Sequence, residues 1–67
     1  MSNRERIGSE LADLRNKRGM TTRQLAELCG VNNANITKIE RGNYNVSIDI
    51  LSRICDKLGA KVSIIAE

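Results

Sequence analysis

This 67-residue sequence has no histidine, tryptophan or phenylalanine, one tyrosine and two cysteines. Each shortage removes a class of function. Without histidine the commonest general base is missing. Ser, Asp and Lys are present, but none sits in a nucleophile motif, and no glycine-rich phosphate loop is found. Two cysteines without a histidine cannot make a usual tetrahedral zinc set. The chain therefore reads as a non-enzyme with no catalytic residue, no cofactor and no metal site. One aromatic side chain does not make the stacking platform of a single-strand nucleic-acid binder. The apolar runs are only a few residues long, far below the ~20 that a membrane-spanning helix needs. No segment reads as a signal peptide. The expected location is the cytoplasm, away from membranes. Cys29 and Cys55 fall at apolar-periodic positions, as buried, reduced thiols in that compartment do.

What the sequence does contain is a train of short helical patterns with clear ends. Ser2 with Glu5 makes a capping box, so a first helix starts near Asn3. Ile7, Leu11 and Leu14 put one apolar face inward, and Gly19 stops the helix near Arg18. Thr21 with Gln24 makes a second capping box. Leu25, Ala26, Leu28 and Cys29 form the apolar stripe of that helix, and Gly30 supplies a left-handed residue to end it. Asn32 caps a third helix with Ile36 and Ile39 inward, ended at Gly42. Asn43, Tyr44 and Asn45 form a loop. Ser47 caps a fourth helix through Leu58, with Ile50, Leu51, Ile54 and Leu58 inward, and Gly59 ends it. Helices two and three are too short to stand alone and must lean on each other and on neighbours. Ala26 is small enough to let another helix cross closely.

A domain of this size buries only about 60% of its unfolded-chain surface, so dimerisation would help it. The net charge is +3, a mild excess compatible with DNA. Residues 1 to 41 hold eight Lys or Arg against five acids, and residues 42 to 67 hold three of each. The whole excess thus lies in the part that holds the first three helices. A solvated helical surface would account for the charge equally well.

The segment TTRQLAELCGVNNANITKIERG, residues 21 to 42, resembles the helix-turn-helix of the phage Cro and repressor type, the XRE-like family. Ala26 falls at the close-crossing position, Gly30 in the turn and Val31 at the apolar turn position. Ile36 and Ile39 take the buried positions of the second helix, and the family ending Ile-Glu-Arg-Gly stands at Ile39 to Gly42. Arg15 precedes Gly19 and Met20 as the family's first-helix arginine does. Asn45, Val46 and Ser47 lead into ILSRICDKLG as into the family's fourth helix. The likeness covers about residues 7 to 59. It implies a mainly α, lambda-repressor-like domain of four to five helices that binds duplex DNA sequence-specifically.

In this motif the start of the third helix faces the major groove. With Ile36, Ile39 and Glu40 inward, the outward residues are Asn33, Ala34, Asn35, Thr37, Lys38 and Arg41. Asn can bond adenine through N6 and N7, Lys can bond guanine through O6 and N7, and an Ala methyl suits the thymine methyl. By resemblance, Asn33, Ala34 and Lys38 hold the main base-reading positions, while Asn35 and Thr37 face either base or phosphate. Thr22 and Arg23 open helix two, where free N–H groups and the helix dipole favour an anion. The family has Gln where this chain has Thr22, which shortens that side-chain contact and leaves the backbone contact. Arg41, Asn43 and Tyr44 sit where family members grip the other side of the groove. Tyr44 offers either a phenol–phosphate hydrogen bond or packing. Arg15 and Glu40 look like the family's structural ion pair, which sets the angle of the reading helix.

The tail AKVSIIAE changes character. Val62 and Ile64 alternate with Lys61 and Ser63, which reads as a strand. No second strand is available in the chain, and an unpaired ladder needs a partner. The simplest partner is the same strand of another copy, antiparallel across a two-fold axis. The other reading is a tail lying on the core. Some members of the family, including antitoxins related to HipB, carry a C-terminal strand used for pairing. The expected organisation is a DNA-binding domain over residues 1–59 and a dimerisation strand over residues 60–67. The expected function is a homodimeric transcriptional regulator, a repressor on an inverted-repeat operator. One alternative is an antitoxin that binds a toxin protein and its own operator. A protein-interaction module that has lost DNA binding is the other, and base-matching Asn33, Lys38 and Arg41 argue against it.

Overall fold

The computed structural model describes residues 2–66, in which four helices follow in chain order. They are α1 (Asn3–Lys17), α2 (Thr22–Cys29), α3 (Asn33–Glu40) and α4 (Ile48–Lys57). Each begins at a side-chain cap. The Ser2 hydroxyl accepts from the Glu5 amide while the Glu5 carboxylate accepts from the Ser2 amide, both at 3.1 Å. That bonding pulls the Glu5 carboxyl below its ordinary range. Thr21 and Gln24 repeat the box on α2. Single caps from Asn32 and Ser47 start α3 and α4. Gly30, at φ 67°, turns the chain from α2 to α3. A side chain there would pay the left-handed penalty that glycine avoids.

α1 packs on α3, and α2 packs on both α3 and α4. Leu25, Ile36, Ile54 and Leu58 are the largest fully enclosed side chains, surrounded by Leu11, Ala26, Cys29, Ile39, Leu51 and Cys55. Leu28 departs from expectation. It is 51% exposed and lies beside Arg18, Met20 and Gln24 on the outer face of α2. Leu25, Ala26 and Cys29 already fill the inward stripe of this two-turn helix, so Leu28 points the other way.

The closest approach in the fold is between α1 and the end of α3. Gly8 is buried in the middle of α1. A Cβ there would overlap the carbonyl oxygen of Ile39 and stand 2.8 Å from that of Glu40. One turn earlier, a Cβ on Gly42 would stand 2.7 Å from Cγ of Glu5. The two backbones touch.

Two arginines close helix ends from a distance. Arg18 donates from Nε and Nη2 to the carbonyl of Leu58, at 3.2 and 2.9 Å. Arg53 donates from Nη1 to the carbonyl of Cys29 at 3.2 Å. The last carbonyls of a helix lack intrahelical partners and carry its negative dipole end, so a guanidinium satisfies both.

The expected C-terminal strand is not formed. Residues 60–66 have no regular structure, and no fifth helix is found among the described residues. Glu67, the last residue of the expected strand, lies outside them. The physical reason is the one that made the strand need a partner: a single copy has no second edge to supply its ladder bonds. Ala60, Val62 and Ile65 line a groove with Ile7, Leu11, Leu14, Leu51 and Cys55. Ile64 and Ile65 are nevertheless 98% and 87% exposed. No helix among the described residues is long and apolar enough to cross a membrane.

Cys29 and Cys55 are free and buried. Burial pushes both thiols up, against the pull of Lys57 and Arg53 on Cys29 and with the push of Asp56 on Cys55. The thiolate is the reactive form, so a raised pKa keeps both cysteines inert at pH 7 to 8. Ellman's reagent should therefore label them at least about a hundredfold more slowly than in the urea-unfolded chain, at a rate set by global opening. Rapid labelling of either in the native chain would contradict this packing.

Candidate nucleic-acid interface

α2 and α3 form one ridge, and its chemistry follows from their caps. An α-helix leaves its first four N–H groups without intrahelical partners. On α2 the capping box takes up two of them, those of Thr21 and Gln24. The amides of Thr22 and Arg23 remain, at the positive end of the helix dipole. Arg23 is exposed and Thr22 half-buried. That end presents two N–H groups and a guanidinium to an anion.

On α3 the residues expected to point outward divide into two sets. Ala34, Lys38 and Arg41 are exposed, at spacings of four and three, and make one stripe along the helix. Asn33, Asn35 and Thr37 are half-buried. The Thr37 hydroxyl donates to the carbonyl of Asn33 at 3.3 Å, a bond back along its own helix. Asn33 encloses its Oδ1 atom without a partner. Its amide nitrogen is thus the atom left toward solvent. Bonding both N6 and N7 of an adenine requires one donor and one acceptor from the amide. Asn33 offers both only if its side chain rotates so that the enclosed Oδ1 also comes to the surface.

After α3 the chain reverses tightly. The Gly42 amide donates to the carbonyl of Ile39 and the Asn43 amide to that of Lys38, at 3.0 and 2.9 Å. Gly42 holds φ at 77°. Asn43 is exposed next to Arg41, while Tyr44 is half-buried and packs against the core. Packing is therefore an established role of Tyr44.

The basic residues also sort by geometry. Arg6 pairs with Glu10 at 2.8 Å. Arg15, Arg18 and Arg53 are engaged inside the fold. Arg23, Lys38 and Arg41 take part in no ion pair among the described residues. Arg4 and Lys17, exposed on α1, are likewise outside these ion pairs, so free positive charge lies on α1 as well as on the α2–α3 ridge.

Arg15 links α1 to the far end of that ridge and to the residue before α2. Its Nε donates to Oε2 of Glu40 at 2.7 Å and its Nη2 to Oε1 at 3.0 Å. Its Nη1 donates to the carbonyl of Met20 at 2.8 Å. The Glu40 hydrogen bonds raise the Arg15 pKa above its already high value, so the guanidinium is charged at any working pH. Sequence reasoning missed Gly8, Arg18 and Arg53. For Gly8 a signal was present, because glycine inside a helix costs about 1 kcal/mol relative to alanine and so points to a packing constraint.

Comparison with known proteins places the same pattern in a wider set. Residues 6–66 match the family model described as "Helix-turn-helix domain". The chain is similar to the immunity repressor protein of Bacillus phage phi105, 34% identical over 59 residues, covering 88% of this chain and 41% of the repressor. It spans 15% and 41% of the length of the curated relatives it matches. Among solved structures it is similar to the clp gene regulator ClgR of Corynebacterium glutamicum, with a TM-score of 0.84 and 39% identity, covering 88% of this chain and 76% of that one. It is also similar to the restriction-modification controller protein C.AhdI of Aeromonas hydrophila, with a TM-score of 0.86 and 26% identity, covering 91% and 92% of the two chains.

Replacing Arg15 with Met should leave Glu40 largely enclosed without its partner. The side chains of the pair are only 13% and 11% exposed. Breaking a buried pair from one side costs on the order of 3 kcal/mol, a large share of the stability of a domain this small. Urea unfolding would register the loss as a lower midpoint at an unchanged slope. An unchanged midpoint would mean that the pair contributes nothing.

Proposed function

The chain belongs to the XRE-like helix-turn-helix domain family, and on that footing we propose that it binds double-stranded DNA sequence-specifically as a transcriptional regulator, a repressor acting as a homodimer in the cytoplasm. The observation that carries this reading is the α2–α3 ridge. It combines open amides at the start of α2 with the exposed Ala34, Lys38 and Arg41 stripe of α3. With the start of α3 in the major groove, Asn33, Ala34, Asn35, Thr37 and Lys38 are the base-contacting residues. Thr22, Arg23, Arg41, Asn43 and Tyr44 are the phosphate-contacting ones. No step in this function breaks a covalent bond.

Residues 1–59 act as the reading head and residues 60–67 as the dimerisation segment. Support for the second part comes from Val62, Ile64 and Ile65, which expose apolar surface that a single copy leaves uncovered. A second copy would cover it and supply ladder partners for a strand across a two-fold axis. Two reading helices related in this way reach successive major grooves about 34 Å apart. Selection from a pool of random duplexes tests the reading directly. It should return an inverted repeat with half-site centres about 10 base pairs apart, or a multiple of that.

Substitution separates reading from gripping. Lys38→Ala should cost roughly 1–3 kcal/mol on the selected site and relax the choice at one base position. Arg41→Ala should weaken binding to every sequence alike and reduce the salt slope by about one. Equal behaviour of the two variants in fluorescence-anisotropy titrations would assign Lys38 to phosphate.

Deleting residues 60–67 should leave a helical chain that sediments as a monomer. Its affinity for an inverted repeat should fall by about a hundredfold or more, because the second half-site loses its high effective concentration. A truncated chain that remains a dimer at micromolar concentration would place the interface on the helices.

A further inference from the structure

Gly8 has no part in the DNA-binding ridge, yet its neighbours are the last two residues of α3. A Cβ at this position would overlap the Ile39 carbonyl oxygen and stand 2.8 Å from the Glu40 carbonyl oxygen. These are backbone atoms at the end of a helix, and they cannot swing aside as a side chain would. The backbone of Gly8 is helical, without a positive φ. Alanine would therefore favour the helix at this position, and only the contact excludes it. Two further contacts flank it on the same side of α1. Glu5 meets Gly42 one turn earlier, and Arg15 grips Glu40 two turns later. The end of α3 is thus held at three points along α1, with the bare Cα of Gly8 at the middle one.

We propose that Gly8 is a positioning residue for sequence readout: by letting the backbone of α1 touch the carbonyl end of α3, it sets how α3 is presented to the groove. The inference rests on the DNA-binding reading above. A side chain at residue 8 pushes the Ile39–Glu40 end outward. α2 holds the other side of α3 and is itself anchored on α4, so α3 tilts relative to the α2 amides. Bonds to base edges depend on that tilt. Bonds from the α2 end and from Arg41 to phosphate tolerate it, because they are electrostatic and carry no sequence information.

The test compares binding to two probes, the duplex that the wild-type chain selects and a poly(dI-dC) duplex. Gly8→Ala should lower the ratio of the two affinities about tenfold, the worth of one misaligned base contact, with poly(dI-dC) binding unchanged. Ile54→Val is the control, since it loosens the core from α4, which takes no part in the crossing. It should lower the melting temperature and leave the ratio as in the wild type. If Gly8→Ala is unfolded in buffer, the ratio is read in trimethylamine N-oxide, which restores folding without touching the contact. A folded Gly8→Ala chain with the wild-type ratio would overturn the inference alone. So would an Ile54→Val chain that loses the ratio as far as Gly8→Ala does. A wild-type chain that prefers no duplex would overturn the DNA-binding reading and this inference with it.

Discussion

The three hydrogen bonds of the Arg15 guanidinium hold the arrangement on which the rest depends. One planar group on α1 engages both oxygens of Glu40 at the end of α3 and the carbonyl of Met20 just before α2. It therefore ties together the two helices of the motif and the helix beneath them. Lysine could not do the same, since a single ammonium lacks the fork that meets a carboxylate at two points. Enclosing an ion pair carries a desolvation cost, and good geometry with every donor satisfied is what offsets it. Here three of the five N–H donors, one on each nitrogen, have a partner, and both carboxylate oxygens are engaged.

The same solution appears twice more with carbonyls in place of carboxylates. Arg18 closes the end of α4, and Arg53 closes the end of α2. Four helices of 8 to 15 residues around so small a core cannot rely on apolar burial alone. Long-reaching arginines stitch their ends. This changes the meaning of the composition. The basic excess of the first 41 residues looks like a uniform electrostatic surface in the sequence. In the fold Arg15 and Arg18 bond to other parts of the chain, and Arg6 pairs with Glu10 on the surface of α1. Of the rest, Arg4 and Lys17 lie exposed on α1, and Arg23, Lys38 and Arg41 lie on and beside α2 and α3, the elements that the proposed function uses.

How much was legible from the sequence follows the range of the interactions. The starts of all four helices were, because Ser2, Thr21, Asn32 and Ser47 act within three residues of themselves. Their ends were legible from Gly19, Gly30, Gly42 and Gly59, all at positive φ. The buried Ile36, Ile39, Ile54 and Leu58 followed from periodicity. The outward position of Leu28 did not, because in a helix of eight residues the neighbours decide which stripe faces in. The half-burial of Asn33 and Thr37 and the enclosed Oδ1 atom of Asn33 depend on how α2 meets α3. The Arg18 and Arg53 bonds span 40 and 24 residues and leave no local pattern. The tail reads as a strand by residue type, but a strand also needs a second edge, which one copy does not contain.

The central claim is that the ridge of α2 and α3 is the surface that meets DNA. The most direct test is amide chemical-shift mapping of the labelled chain as the selected duplex is added. The account predicts large shifts at Thr22, Arg23, Asn33, Ala34, Lys38 and Arg41 to Tyr44, with the outer faces of α1 and α4 unmoved. Shifts that instead cluster on the groove between α1, α4 and the tail, leaving α3 silent, would contradict it.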